Sequence, residues 1–268
     1  MKRTHLVLII FSVVTLLIVA GSAAWPATAE PHEDTLSYMP YVSSPPVVPV
    51  DQYNTGFDAG IEPWTAVRWN NGSDFDVKHN SGCNDGRCGF LDLPVFSKQS
   101  YVIASPRIAG PQRSYNIIFR AKLNNRKDKH QYGAIFSADA TGKPCPGDNN
   151  SSCFNRYYEF LVRYRNDGEE YLQYRIRRID GHDENNVAYG DVLVDWTRAE
   201  GAKATEWTKW EINFRSSGHI YIRANNQDQP AYARDNKFTD QRYFGLITRS
   251  NENSNAYVLF DKYEIFKD

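Results

Sequence analysis

The chain has no surplus of charge of either sign. Its 31 Lys and Arg residues are balanced by 32 Asp and Glu residues, which gives a formal net charge of −1 at pH 7. Proteins that bind duplex nucleic acid depend on a surplus of positive charge to neutralise phosphates. The composition therefore argues against nucleic acid as a partner of the whole molecule, while a local basic patch stays compatible with it.

The chain also lacks helical periodicity. From Asp51 onward no stretch of ten or more residues keeps a helical apolar repeat, whereas turn residues recur at the spacing of short strands. About fourteen candidate strands are enough for two sheets of ordinary size. The sequence predicts one all-β domain over residues 51–268, a two-sheet antiparallel β-sandwich, with a closed barrel as the alternative.

The first residues have the pattern of an export signal. Lys2 and Arg3 precede an apolar run from Leu6 to Ala20, and Ala27-Thr28-Ala29 offers small residues for cleavage before Glu30. This pattern predicts a signal peptide over residues 1–29 and a secreted or extracytoplasmic protein, free or associated with the cell surface. An uncleaved membrane anchor is the alternative, and only in that case would the membrane be a partner.

A proline-rich linker is predicted to follow over residues 30–50. Its five prolines are Pro31, Pro40, Pro45, Pro46 and Pro49, and it shows little apolar periodicity. Such composition is typical of an extended connection between an export signal and a folded domain.

Cysteine is scarce and comes in two close pairs, Cys83 with Cys88 and Cys145 with Cys153. An exported chain meets an oxidising environment, so the spacing predicts two local disulfides, Cys83–Cys88 and Cys145–Cys153. A zinc site is the alternative, but the cysteine spacings are not those of zinc-binding motifs.

The clearest local structure is a hairpin from Tyr157 to Asp180. A two-residue loop would place apolar Val162 opposite polar Gln173, which makes that register unfavourable. A three-residue loop, Asn166-Asp167-Gly168 with Gly168 left-handed, instead pairs Val162 with Leu172. The same register pairs Phe160 with Tyr174 and Tyr158 with Ile176 on the core face, and Glu159 with Arg175 and Arg165 with Glu169 on the other face. We expect that other face to be solvated.

Several short motifs in the last third carry a family resemblance. They are Trp207-Thr208-Lys209-Trp210-Glu211-Ile212, the hairpin Arg215 to Ile222, Tyr243-Phe244-Gly245-Leu246 and Leu259-Phe260-Asp261-Lys262-Tyr263-Glu264-Ile265. Together with Gly56-Phe57-Asp58 and Trp64, and with Asn225-Asn226-Gln227 where a short Asn-Gly loop is expected, they resemble the laminin-G-like, concanavalin A-like lectin/glucanase jelly roll. The resemblance implies the fold. It does not select a function, since this fold hosts lectins, hydrolases, lyases and adhesion domains.

The motifs of the enzymatic branches are incomplete. The glucanases of this superfamily carry Glu-x-Asp-x-x-Glu, and no such run occurs in the chain. Glycoside hydrolysis needs two carboxyl groups within about 5 to 10 Å of each other. The lyase branch would use Arg, Gln, His and Tyr together, and the hairpin supplies no His. We therefore interpret the protein as non-catalytic, with a glycan-active hydrolase or lyase of non-standard site as the alternative.

Polar and aromatic residues of the hairpin form the candidate binding site, consisting of Arg163, Tyr171, Gln173, Arg175 and Arg177. Sugars stack their CH faces on aromatic rings and bond their hydroxyl or carboxylate groups to planar polar side chains. The expected partner is a carbohydrate or another surface polymer. The alternatives are a solvated sheet with cross-strand ion pairs, or a structural or adhesion module of the cell envelope.

A structural calcium is the one cofactor that the resemblance suggests. Asp58 and Asp261 lie on first and last strands that could pair, and calcium prefers such oxygen ligands. The alternative is that both carboxylates are simply hydrated.

The last strand and the tryptophans give two further expectations. In a regular strand Phe260 would share a face with Lys262, so we expect a bulge near Asp261 that turns Phe260, Tyr263 and Ile265 inward. Trp207 and Trp210 cannot share one strand face, so at least one of them should lie in the core.

Overall fold

The computed structural model describes the backbone of residues 41–42, 52–57, 65–67, 76–79, 89–95, 100–104, 114–123, 130–145, 148–182, 188–239, 243–250 and 256–267. The side chains that it describes belong to residues 56–57 and to the chain from Ser114 onward, with gaps. The predicted signal peptide, Cys83, Cys88 and Asp58 lie outside these residues. Cys145 and Cys153 are described only in their backbone, so both disulfides stay predictions.

The described residues form strands and no helix. The strands are β1 (Tyr41–Val42), β2 (Gln52–Thr55), β3 (Thr65–Val67), β4 (Asp76–His79), β5 (Gly89–Val95), β6 (Ser100–Ala104), β7 (Tyr115–Leu123), β8 (His130–Cys145), β9 (Asp148–Asn166), β10 (Glu170–His182), β11 (Ala188–Arg198), β12 (Thr208–Phe214), β13 (His219–Ala224), β14 (Gln227–Asp228), β15 (Ala233–Arg234), β16 (Tyr243–Ser250) and β17 (Ala256–Lys267). Within this part of the chain no helix is long and apolar enough to cross a membrane.

The strands make two sheets, and every described pair is antiparallel. Sheet 1 has the order β11-β10-β9-β8-β16-β6-β3, with β1 also paired to β9. Sheet 2 has the order β14-β13-β12-β7-β17-β5-β4, with β15 added to β13 and β2 added to β17. This confirms the predicted all-β, two-sheet antiparallel sandwich.

Aromatic side chains fill the space between the sheets. Phe160 of sheet 1 packs against Trp210 of sheet 2, with ring centres 5.3 Å apart, and against Phe119 at 6.2 Å. Trp210 Nε1 donates a hydrogen bond of 3.2 Å to the hydroxyl of Tyr132, which satisfies a buried donor. Trp210 is fully buried and Trp207 only partly, as expected for tryptophans three residues apart.

The central hairpin has a three-residue loop, but the loop lies one residue later than predicted. Asn166 pairs with Glu170 across Asp167-Gly168-Glu169, and Gly168 has φ +98°. The left-handed Gly168 and the division into faces are therefore confirmed. The partners were predicted wrongly, because the loop begins after Asn166. Val162 lies opposite Tyr174, Phe160 opposite Ile176, Arg165 opposite Tyr171 and Glu159 opposite Arg177.

The ends of β8 and β9 correct a second expectation. The Gly, Asn and Ser residues between Pro144 and Cys153 predict a loop, whereas Pro144 lies opposite Ser152 and Cys145 opposite Asp148 in a continued strand pair. Tyr41 and Val42, inside the predicted linker, form β1 opposite Cys153 and Ser152.

The expected bulge in the last strand is present. The pairing of β17 with β7 shifts register between Phe260 and Lys262, and Phe260, Tyr263 and Ile265 are all buried. Asp261, at the bulge, accepts a hydrogen bond of 2.7 Å from Arg120.

Candidate functional site

The predicted site residues lie on the outer face of sheet 1, which turns away from the sandwich core. Arg163 on β9 lies directly opposite Gln173 on β10, and its Nε donates a hydrogen bond of 2.9 Å to Gln173 Oε1. Strand alternation places Tyr171, Arg175 and Arg177 on the same face of β10. The structure thus brings all five predicted residues onto one face of sheet 1, although Arg175 and Arg177 are buried there.

Trp196 joins this surface from the neighbouring strand β11. The guanidinium carbon of Arg163 lies 4.1 Å from the centre of the indole ring, and that of Arg175 lies 4.7 Å from it. Cations at this distance from an indole ring are attracted by its negative face. Sequence reasoning gave Trp196 no role here, because bulges between β10 and β11 set its position.

Tyr171 forms a second cation–ring contact closer to the turn. The guanidinium carbon of Arg198 on β11 lies 4.7 Å from the ring centre, and the Tyr171 hydroxyl donates a hydrogen bond of 2.7 Å to Asp167. That hydrogen bond lowers the pKa of Asp167 and raises the pKa of Tyr171. Arg198 also donates to Glu169 at 2.6 Å, which lowers the pKa of Glu169.

We call the surface formed by Arg163, Tyr171, Gln173, Arg175, Trp196 and Arg198 the arginine face. It carries three guanidinium–ring contacts, two on Trp196 and one on Tyr171, contributed by three adjacent strands. Arg163, Tyr171, Gln173 and Trp196 are partly exposed, and Arg198 is exposed. Planar cations and aromatic rings placed side by side can contact both the carboxylate groups and the CH faces of a sugar chain.

Further from the turn, the same sheet face is buried, which corrects the expectation of a solvated face. Arg175 and Arg177 are only 6% and 4% exposed. Fully buried Glu159 lies 2.7 Å from Arg249 Nη2 and 3.8 Å from Arg177 Nη1. A second apolar cluster that includes Ile135, Leu161 and Ile247 packs on this face. Arg177 is therefore part of a buried ion cluster, and Arg175 supports Trp196 from below the surface.

At the far end of β10, three carboxylates surround one guanidinium. Arg178 donates to Asp180 at 2.9 and 3.0 Å and also contacts Asp191 and Asp235. Burial raises the pKa of both Asp180 and Asp235. Hydrogen bonds to the carboxylates have a larger effect than burial. Asp180 accepts from Arg178 and Lys237, and Asp235 accepts from Tyr158 and Arg178, so the pKa of each carboxyl group lies below its usual value. These bonds link β10 and β11 to the segment after β15.

The described residues give no support to a calcium site at Asp261. Its carboxylate is engaged by Arg120, and Asp58 lies outside the described residues. In that part of the chain no group of three or more His, Cys, Asp and Glu side chains could hold a metal ion.

Comparison with known proteins identifies the fold. No protein-family profile matches the chain, and no curated protein sequence matches it. Among solved structures it is similar to a family 16 glycoside hydrolase, an endo-glucanase from Bacteroides ovatus, with TM-score 0.54, 10% identity and coverage of 80% of this chain and 99% of that one. The chain has the concanavalin A-like jelly-roll fold.

Two further structures support this fold. The potassium-bound carbohydrate recognition domain of Emp46p has TM-score 0.51 and 12% identity, and the alignment covers 87% of this chain and 96% of that domain. A xylan β-1,4-xylosidase from Bacillus halodurans C-125 has TM-score 0.50 and 13% identity over 84% of this chain. The chain spans 41% of the length of that xylosidase. At these identities the likeness is one of fold.

Proposed function

We propose that the protein is a non-catalytic carbohydrate-binding module, and that its arginine face binds an acidic glycan. The observation that carries this proposal is the arrangement of Arg163, Trp196 and Arg175, in which one indole ring holds two guanidinium groups in place. A guanidinium whose position is fixed in this way loses less side-chain entropy when it bonds a carboxylate of a ligand.

The chemistry of the arginine face suits a uronic acid or sulfated polymer. Arg163 offers a planar fork that matches a carboxylate or sulfate group, and Gln173 offers an amide to sugar hydroxyls. Tyr171 and Trp196 offer ring surfaces for sugar CH groups. The names of two structural neighbours, a carbohydrate recognition domain and an endo-glucanase, are consistent with a carbohydrate partner.

The carboxylates near this face support binding without cleavage, because Asp167 and Glu169 already accept hydrogen bonds from Tyr171 and Arg198. Glu159 is fully buried and bonded to Arg249, so it does not reach a glycosidic oxygen of a polymer that lies on the surface. An acid catalyst must come within hydrogen-bond distance of the atom that it protonates. The second candidate, a hydrolase or lyase with a non-standard site, would show itself by cutting the polymer.

We further propose that the module acts outside the cytoplasm, in keeping with the export signal predicted over residues 1–29.

The test is to replace Arg163 and Tyr171 together by Ala and to measure binding to oligogalacturonates, sulfated glycans and neutral glycans. Loss of charge-assisted hydrogen bonds costs about 1.5–3 kcal/mol each, so affinity for acidic glycans should fall by about tenfold or more. Lys203→Ala, which removes an exposed cation elsewhere, is the charge-matched control and should keep full affinity.

Equal affinity of the double variant and the native protein for acidic glycans would contradict the proposal. If chromatography of the products shows that the polymer is shortened during incubation with the protein, the enzymatic alternative is favoured. Thermal unfolding of each variant separates a lost contact from a lost fold.

A further inference from the structure

A concave surface lies on the outer face of sheet 2, away from the arginine face. It is a groove of about 460 Å³, formed by side chains of β7, β12, β13 and the segment after β14. Sites for small organic ligands typically measure about 300–1,000 Å³. The groove shares no residue with the arginine face.

Two exposed tyrosines form one wall of this groove. Tyr221 on β13 and Tyr232 just before β15 stack with ring centres 5.4 Å apart and planes inclined by 29°. They are 43% and 57% exposed, which is unusual for large aromatic side chains. His219 lies next to Tyr221 with an interplanar angle of 6°. Ile220 and Ile222 on either side of Tyr221 are buried, as is Ala233 next to Tyr232, so strand alternation turns both rings outward.

The rest of the groove is polar and has balanced charge. Arg223 lies 3.3 Å from a carboxylate oxygen of Glu211 and 2.9 Å from one of Asp228. Lys209, which lies outside the groove lining, contacts the same Glu211. The lining itself holds two cations, Arg215 and Arg223, and two carboxylates, Glu211 and Asp228, so it has no net charge that would recruit an ionic ligand.

Amide groups add hydrogen-bonding capacity to the groove lining. Asn213 Nδ2 donates to Asn116 Oδ1, which links the two amides across β12 and β7. Asn213 Oδ1 has no hydrogen-bond donor within the described part of the protein. A small rotation of this amide would offer an acceptor to a hydroxyl group of a ligand.

We propose that this surface, the tyrosine groove, is a second binding site and takes a neutral oligosaccharide. Stacked phenol rings suit the CH faces of sugars, while fixed carboxylate, guanidinium and amide groups suit their hydroxyls. Balanced charge selects a neutral sugar chain over an acidic one. The inference does not depend on the function proposed for the arginine face, because the two surfaces lie on different sheets and prefer ligands of different charge.

The experiment titrates the full-length protein with neutral gluco-, xylo- and manno-oligosaccharides in a calorimeter. Tyr221→Ala and Tyr232→Ala should each weaken binding at least fivefold, and the double variant should abolish it. Tyr232→Phe keeps the ring and should keep binding within about twofold, since ring stacking carries the contact. Tyr189→Ala removes a tyrosine that is 54% exposed on β11, outside the groove, and should change nothing.

Two readouts keep the outcome decisive. Nuclear magnetic resonance should show shifts of the His219 ring signals on addition of the neutral oligosaccharide, and no such shifts in the double variant. Absence of neutral-glycan binding by the native protein, or unchanged binding in the double variant, would overturn the proposal. If the double variant instead dissociates an oligomer of the native protein, the tyrosine groove is an interface between copies, which would also overturn it. Arg163→Ala should leave neutral binding intact, so that either surface can fail alone.

Discussion

Glu159 is a fully buried carboxylate, and a single change there should destabilise the described structure. The Glu159→Gln variant keeps the shape of the side chain and removes its charge. It also turns one of the two acceptor oxygens into an amide that donates, facing the guanidinium groups of Arg249 and Arg177. The buried cluster on the outer face of sheet 1 then loses its carboxylate while both arginines keep their charges.

The expected effect follows from burial. Removing one partner of a buried ion pair costs about 3–5 kcal/mol, because the other charge stays away from water. For a domain of 150–250 residues, each kcal/mol shifts the melting temperature by roughly 2–4 °C. The variant should therefore melt about 6–20 °C below the native protein.

The assay is urea unfolding followed by circular dichroism, with calorimetry for the melting temperature. The control is Glu169→Gln, which removes a carboxylate that bonds Arg198 at an exposed position. It should leave the free energy of unfolding and the melting temperature unchanged within error. A double-mutant cycle with Arg249→Met should show a coupling of about 1–3 kcal/mol between the two positions. A loss below about 1 kcal/mol in Glu159→Gln would refute the reasoning, since it would mean that water reaches this carboxylate.

Two further predictions concern pH and backbone contact. The folded pKa values of Asp180 and Asp235 lie below their usual values, so the stability that these groups contribute is present above the unfolded pKa of about 3.9 and is lost as pH falls through the folded values. Asp235→Asn should therefore make the urea midpoint less sensitive to pH below about 4. An unchanged dependence of the urea midpoint on pH would contradict this. A Cβ atom on Gly133 would lie 1.8 Å from the Phe160 carbonyl oxygen, so Gly133→Ala should destabilise the β8–β9 pair by about 1–3 kcal/mol or more. Gly168→Ala, whose Cβ meets nothing within 4 Å, should pay only the left-handed strain of about 1–2 kcal/mol, and equal losses in the two glycine variants would refute the contact argument.

Much of the local structure was predictable because strand alternation is a property of adjacent residues. The inward faces of β9 and β10, the burial of at least one of Trp207 and Trp210, and the left-handed Gly168 all follow from patterns within a few residues. The bulge at Asp261 was predictable for the same reason, since only a change of phase could bury Phe260 together with Tyr263. The hairpin partners were off by one loop position, because Asn-Asp-Gly-Glu offers two three-residue loops with the same division of faces.

What the sequence by itself determined is therefore the strands, their two faces and the sandwich that buries the apolar one. The tertiary structure alone decided which polar residues stay in contact with water. Arg175 and Arg177 occupy the same face of the sheet as Arg163 and Gln173, and the sequence pattern does not distinguish them. They are nevertheless buried, because residues distant in the chain pack on that part of the face, among them Arg249 of β16, which pairs with Glu159. Trp196 reaches the arginine face only through bulges between β10 and β11, and Tyr232 reaches Tyr221 only because β15 pairs with β13. Contacts between residues distant in the chain depend on register and sheet order, and no local pattern specifies either.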